Sequence, residues 1–116
     1  MQISTTPITC NGKVLASRIL IPETILEMFI GLRQRTLIEG EAMLWYFKKP
    51  HLQLFDTFGC LHPIGYLALD KDKKVRQKGV MQVNKTKLVT CSYWIELLPE
   101  VINGIVVGDT KKIGKL

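Results

Sequence analysis

Short apolar runs separated by turn residues make up most of the chain, and a single stretch recurs at helical spacing. Ile64, Tyr66, Leu67 and Leu69 form a β-prone run closed by Asp70, which reads as a buried strand. Pro63 has no amide hydrogen, so it belongs at the start of that strand or on an edge, and it pushes His62 toward an extended backbone. The chain turns at Lys71 and Asp72 into a second strand over 75–83; without Asn-Gly, a four-residue loop is expected rather than a two-residue one. Asn11-Gly12 does carry that signal, and it predicts a hairpin between strands 8–10 and 13–20.

Ile25, Phe29 and Leu32, flanked by Leu26 and Ile30, form one apolar stripe at helical spacing. Pro22 suits the first helical position, Glu23 and Glu27 the N-terminal end, and Arg33 and Arg35 the C-terminal end. Gly31 inside such a helix costs about 1 kcal/mol against Ala, which a close approach to a strand would explain. Thr36 to Glu41 reads as a loop turning at Gly40, and Ala42–Phe47 as a buried strand ended by Lys48-Lys49-Pro50. A shorter strand follows over His51–Phe55, then a turn over Asp56–Gly59. Leu88–Leu97 is the last long strand. Pro99 opens a short helical turn capped at Gly104, and Ile105–Val107 and Lys111–Ile113 read as two short strands about Gly108-Asp109. Helices are too few for a parallel α/β sheet. The expected fold is mainly β (α+β): a small antiparallel β-barrel or sandwich with one α-helix packed across it and a short C-terminal helical turn.

Composition narrows this little. The 116 residues suffice for one domain over 1–116, with no repeat or linker to divide it. No apolar run approaches a membrane span, and the N-terminus lacks the blocks of a signal peptide, so a cytoplasmic location is expected. Three cysteines, an odd number without Cys-x-x-Cys spacing, argue against a disulfide framework and a zinc knuckle. The net charge of +6 is uneven. Residues 70–87 hold seven basic side chains (Lys71, Lys73, Lys74, Arg76, Lys78, Lys85 and Lys87) against two Asp, leaving +1 for the rest of the chain. Alternation from Val75 puts Arg76 and Lys78 on one solvent face, opposite Val75. Such a stripe suits weak backbone contact with nucleic acid or phosphate, or a charged hairpin tip that keeps an edge soluble.

The order of elements resembles the prokaryotic family catalogued as domain of unknown function 192. The resemblance covers about residues 14–114 and rests on Gly31-Leu32-Arg33-Gln34-Arg35, Ala42-Met43-Leu44-Trp45-Tyr46-Phe47, Phe55, Pro63-Ile64, Asp70-Lys71-Asp72, Ile95-Glu96-Leu97-Leu98-Pro99 and Gly104-Ile105-Val106-Val107-Gly108-Asp109. Asp56-Thr57-Phe58-Gly59-Cys60 and Gly65 depart from it, replacing the polar residues of the family frame. The resemblance implies a β-rich fold with one helix and no established enzyme activity.

The residues carry no catalytic motif. Cys60, His62, His51 and Asp56 include ligand types that zinc accepts, but only Cys60 and His62 can be placed together, short of the three or four ligands of a zinc site; neither metal nor cofactor is expected. A Cys60–His62 nucleophile pair needs a depressed thiol pKa that nothing in the sequence supplies. The aromatics Trp45, Tyr46, Phe47, Tyr93 and Trp94 read as core before they read as base-stacking platforms. Glu96 reads as a lone acid bonded to backbone amides. The expectation is therefore a noncatalytic protein- or small-ligand-binding module, with a cleft at Phe55, Asp56, Gly59, Cys60, His62 and Pro63. The alternative is a weak nucleic-acid or phosphate binder using the basic hairpin.

Overall fold

The computed structural model describes residues 1–33, 36–108 and 111–112; the side chains of Ile25, Phe29, Lys49, His51, Lys111 and Lys112 lie outside the description. Among the described residues, nine strands, β1 (Gln2–Ser4), β2 (Ile8–Cys10), β3 (Lys13–Ala16), β4 (Arg18–Ile21), β5 (Glu41–Asp56), β6 (Ile64–Leu69), β7 (Val75–Met81), β8 (Thr86–Leu97) and β9 (Lys111–Lys112), accompany one helix, α1 (Ile25–Ile30), and a 3-10 turn over Pro99–Gly104. The fold is mainly β. Six strands form one sheet in the order β1-β4-β5-β8-β6-β7, and three form a second in the order β3-β2-β9. Among the described residues no helix is long and apolar enough to cross a membrane.

The large sheet stays open, which corrects the barrel expectation. Closure would require β1 to pair with β7, but β1 has three residues and pairs only with β4 among the described strands. On β7, the Val75 carbonyl accepts a hydrogen bond from Gly108 N–H at 2.7 Å, so the chain after the 3-10 turn covers part of that strand. The sheet is also not wholly antiparallel. β4 pairs with β5 in parallel, Arg18 opposite Glu41, and the crossover runs through α1 and the loop after it. The expected strand over 13–20 breaks at Ser17, where the amides of Ser17 and Arg18 both donate to the Gly40 carbonyl, and the chain passes from the small sheet to the large one.

Asn11 and Gly12 take φ of 51° and 79°, so the first hairpin forms as its sequence dictates. The β6–β7 turn encloses three residues rather than four: Asp70 N–H bonds to Lys74 O, and Lys73 takes the left-handed conformation at φ 64°. Asp70 Oδ1 accepts from the amides of Asp72 and Lys74, and so holds the turn from inside.

The helix is shorter than its stripe. Thr24 caps it through a capping box, Glu27 N–H donating to Thr24 Oγ1 at 3.0 Å and Thr24 N–H to Glu27 Oε1 at 3.2 Å. Gly31, expected in the interior, ends it at φ 49°. Its Cα faces the Trp45 ring, where an added Cβ would lie 3.5 Å from Cζ2, so the close approach to a strand is present. Pro22 lies before the cap, not inside the helix. Gln34, Arg35, Asp109 and Ile113 lie outside the described residues.

The large sheet carries a core on each face. Ala42, Leu44, Leu67, Leu69, Ile95 and Leu97 pack with Ile8, Leu15 and Ala16 of the small sheet and with Ile102 and Ile105 of the C-terminal turn. On the other face Met43, Trp45, Tyr66, Ala68 and Trp94 pack with Leu32 and Leu37 from the irregular chain after α1. Gly65 lies on the first face, where an added Cβ would come within 3.1 Å of the Leu97 and Leu98 carbonyls, so it serves a close approach of strands and opens no cleft.

Candidate functional site

The site is built by a bend in the β5–β8 ribbon. Residues 41–46 of β5 pair with β8 up to Tyr46↔Tyr93; pairing resumes at His51↔Cys91 after an irregularity that puts four β5 residues opposite one β8 residue. The strands expected over 42–47 and 51–55 are thus one strand with a large bulge, and bulges of this kind sharpen a bend. Past it the ribbon folds back over the second face of the sheet. Phe55 stacks on Trp94 with centroids 3.8 Å apart and planes 6° apart, and Tyr66 stacks on Trp94 at 4.7 Å and 8°. Beyond the ribbon, Thr57 Oγ1 donates to Gln82 O at 2.6 Å and Lys85 N–H donates to Thr57 Oγ1 at 3.0 Å, tying the tip to the end of β7.

Between the folded ribbon, the end of α1 and the sheet lies a cleft of about 310 Å³. Trp45, Phe47 and Phe55 give it aromatic walls, Met28, Leu32 and Ile64 apolar ones, and Arg33, Gln53, Asp56, Cys60 and Glu96 its polar groups. The Phe47 and Phe55 rings meet edge-on at 6.2 Å. Arg33 forms an ion pair with Asp56, which joins the chain after α1 to the ribbon end; Asp56 Oδ1 also accepts from Phe58 N–H at 3.1 Å. A smaller hollow of about 30 Å³ adjoins it through Leu32, Cys60 and Ile64, and is lined also by His62 and Pro63.

Glu96, read from the sequence as a lone acid bonded to backbone amides, lines this cleft. It is buried, and its Oε2 accepts from Trp94 Nε1 at 3.0 Å, not from backbone amides. Burial pushes its carboxyl up to about 7; the Asp56 carboxylate adds to the rise, while the Trp94 bond and Arg33 oppose it. The available signal was alternation: Trp94 and Glu96, two apart on a strand, share one face. Arg33, read as a helix-end charge, was missed for the same site because its partner Asp56 lies far along the chain.

The expected cleft residues divide. Phe55, Asp56 and Cys60 line the large cleft, and Cys60, His62 and Pro63 the small hollow. Gly59 is exposed at the turn, φ 77°, against the Arg33 side chain. Burial raises the Cys60 thiol pKa, with Glu96 and Asp56 adding to it, so the direction is opposite to that of an activated nucleophile. Among the described residues no three His, Cys, Asp or Glu side chains gather as a metal would need; the His51 side chain is outside the description.

The basic residues do not form the expected face. A register shift between Ala68 and Leu69 makes Arg76 the extra residue, so Val75 pairs with Leu69 and Lys78 with Leu67. Val75 and Lys78 therefore share a face, and Lys78 Nζ reaches Ile102 O at 3.4 Å. Arg76 pairs with Asp70 Oδ2 at 2.7 Å. Lys73 and Lys87 place Nζ 6.0 Å and 5.6 Å from the ring centres of Tyr93 and Tyr66. Lys71, Lys74 and Lys85 are exposed.

The fold has solved counterparts. A protein of unknown function from Novosphingobium aromaticivorans DSM 12444 is similar with a TM-score of 0.78 at 21% identity, over 97% of this chain and 86% of that one. A candidate transcription regulator from Sinorhizobium meliloti 1021 is similar with a TM-score of 0.74 at 16% identity, over 82% and 80%. At these identities the likeness shows the fold alone. No protein-family model matches the chain, and no curated protein matches it by sequence.

Proposed function

We propose that this small β-rich domain is a noncatalytic module that binds a small ligand in the cleft between the folded ribbon and the sheet. The observation that carries the reading is the composition of one concave site: aromatic walls, an Arg33–Asp56 pair and a buried carboxyl on Glu96. Ligand sites combine a mostly apolar lining with a few convergent polar groups, and 310 Å³ is at the small end of their range. The need to satisfy the Trp94 indole does not by itself explain Glu96, because a glutamine carbonyl would accept the same bond. The resemblance to the domain of unknown function 192 family supports the reading, and we include divergent membership of it in the proposal: Arg33, Trp45, Phe55, Ile64 and Glu96 all fall in the stretches that carry the resemblance, and all line this cleft. The test is a fragment screen followed by amide chemical shifts, run on wild type and on Met28→Trp, which puts a bulky ring in place of a thioether chain at a half-exposed cleft position. Hits should cluster at the cleft and be lost in Met28→Trp while its spectrum stays folded. Hits scattered over the surface, or unaffected by the block, would contradict the reading.

A second reading draws on the candidate transcription regulator that shares the fold. Here the exposed lysines of 71–87 contact a nucleic-acid backbone weakly. Their scatter, and the pairing of Arg76 with Asp70, favour nonspecific contact that salt removes. Fluorescence anisotropy with a labelled oligonucleotide should show binding that disappears between low and physiological salt; tight binding at physiological salt that depends on Lys71 and Lys74 would promote this reading over the cleft.

A further inference from the structure

Resting on the cleft reading, we infer that the ligand is a small organic cation, an ammonium carried on an apolar or aromatic body, with Glu96 as its counter-ion. Among the described residues, the charges lining the cleft are two carboxyls, Glu96 and Asp56, and one guanidinium, Arg33. Arg33 is already joined to Asp56, so an ionised Glu96 leaves one negative charge to be matched. An anionic ligand would meet two carboxylates. A neutral apolar ligand would gain nothing from the acid. A cation answers that charge, and the walls suit it: ring faces attract ammonium groups, most strongly where water is excluded. Trp94 is not among these rings, since Phe55 and Tyr66 stack on it; its contribution is to orient the carboxyl through Nε1.

Among the described residues, the ionisable groups around Glu96 are Asp56 and Arg33 across the cleft, Cys60 on the loop, and Tyr66, its cross-strand partner on β6. Burial holds the Glu96 carboxyl at a pKa of about 7, so a cation entering below that pH must displace a proton. Affinity should therefore fall about tenfold from pH 8 to pH 6, following the ionised fraction of a single group.

The probes are 2-phenylethylamine, 2-phenylethanol and phenylacetate, which share one ring and differ in the charge of the head group. Each is titrated into the whole chain at pH 8 and pH 6, with amide shifts at the cleft as readout. The amine should bind about tenfold tighter than the alcohol at pH 8, with phenylacetate the weakest, and should lose that advantage at pH 6. Glu96→Gln, which keeps an acceptor for Trp94, should bring amine and alcohol to similar affinity and remove the pH dependence. If the alcohol or phenylacetate binds in the cleft as tightly as the amine, the cation inference falls and the cleft reading stands. If none of the three perturbs the cleft, both fall.

Discussion

Ile95 and Glu96 are neighbours in β8 and serve opposite faces of the same sheet. Ile95 sits in an aliphatic core sealed by the small sheet and the C-terminal turn. Glu96 sits on the other face, where Leu32, Leu37 and a folded-over ribbon pack, and a cleft lies between them and the sheet. Regular elements present even ridges that interdigitate to native density. A bulged ribbon and a helix ended early by Gly31 do not, and the remaining space is walled by rings and floored by an acid. On the reading proposed above, the closed face supplies stability and the open face gives some up for binding.

Leu67→Ala on the closed face should have the largest effect. Leu67 is fully buried, and large-to-small changes at such positions cost roughly 2–5 kcal/mol. Denaturant unfolding should show a loss of about 3 kcal/mol, whereas Met28→Ala at the cleft should fall within about 0.5 kcal/mol of wild type. A Leu67→Ala loss no larger than that of Met28→Ala would erase the contrast between the faces.

The next effect is a pH dependence belonging to the open face. Glu96 has a folded pKa of about 7 against an ordinary value of 4.5, so the folded state holds the proton more tightly than the unfolded state. Its contribution is complete below pH 4.5 and is lost as pH rises through 7, a fall of roughly 3 kcal/mol from that one group. Unfolding measured from pH 4.5 to 8 on wild type and Glu96→Gln should show the difference between the two curves changing in that direction. A difference independent of pH would mean that the carboxyl is not desolvated.

Smaller effects refine the picture of the cover. Phe55→Leu removes the outer ring of the Phe55–Trp94–Tyr66 stack while keeping apolar bulk, and should cost about 1 kcal/mol. Thr24→Ala removes one half of the capping box on α1 and should cost about 1 kcal/mol, read as the same shift in unfolding midpoint with the slope unchanged. If Phe55→Leu cost nothing, the folded ribbon would not be held by that stack.

The same contrast governs what could be read from the sequence. Strands of the closed core announce themselves locally: β6 and β8 are apolar runs bounded by turn residues, and Asn11-Gly12 sets its own hairpin through two positive φ angles. The open face depends on events with no local signature. The parallel pairing of β4 with β5 is a long-range choice that no window of sequence holds. The one-residue shift at Ala68/Leu69 moved Lys78 to the face opposite the expected one, because a strand's period is two and any slip inverts it. Of the Phe55–Pro63 stretch, Phe55, Asp56 and Cys60 line the cleft. The space itself has no local signal, because it comes from the bend at 47–50. Arg33 and Glu96 were invisible as a pair of cleft residues because only that bend brings Asp56 to them.

The most direct test of the open face as a binding site, rather than a packing defect, is the stability of Glu96→Gln at pH 8 measured beside its affinity for 2-phenylethylamine. An acid kept for a ligand costs stability while the cleft is empty, so the variant should be more stable than wild type at pH 8 and should bind the amine about tenfold more weakly. A variant less stable than wild type at pH 8, with unchanged affinity for the amine, would make Glu96 a structural partner of Trp94 and contradict the account.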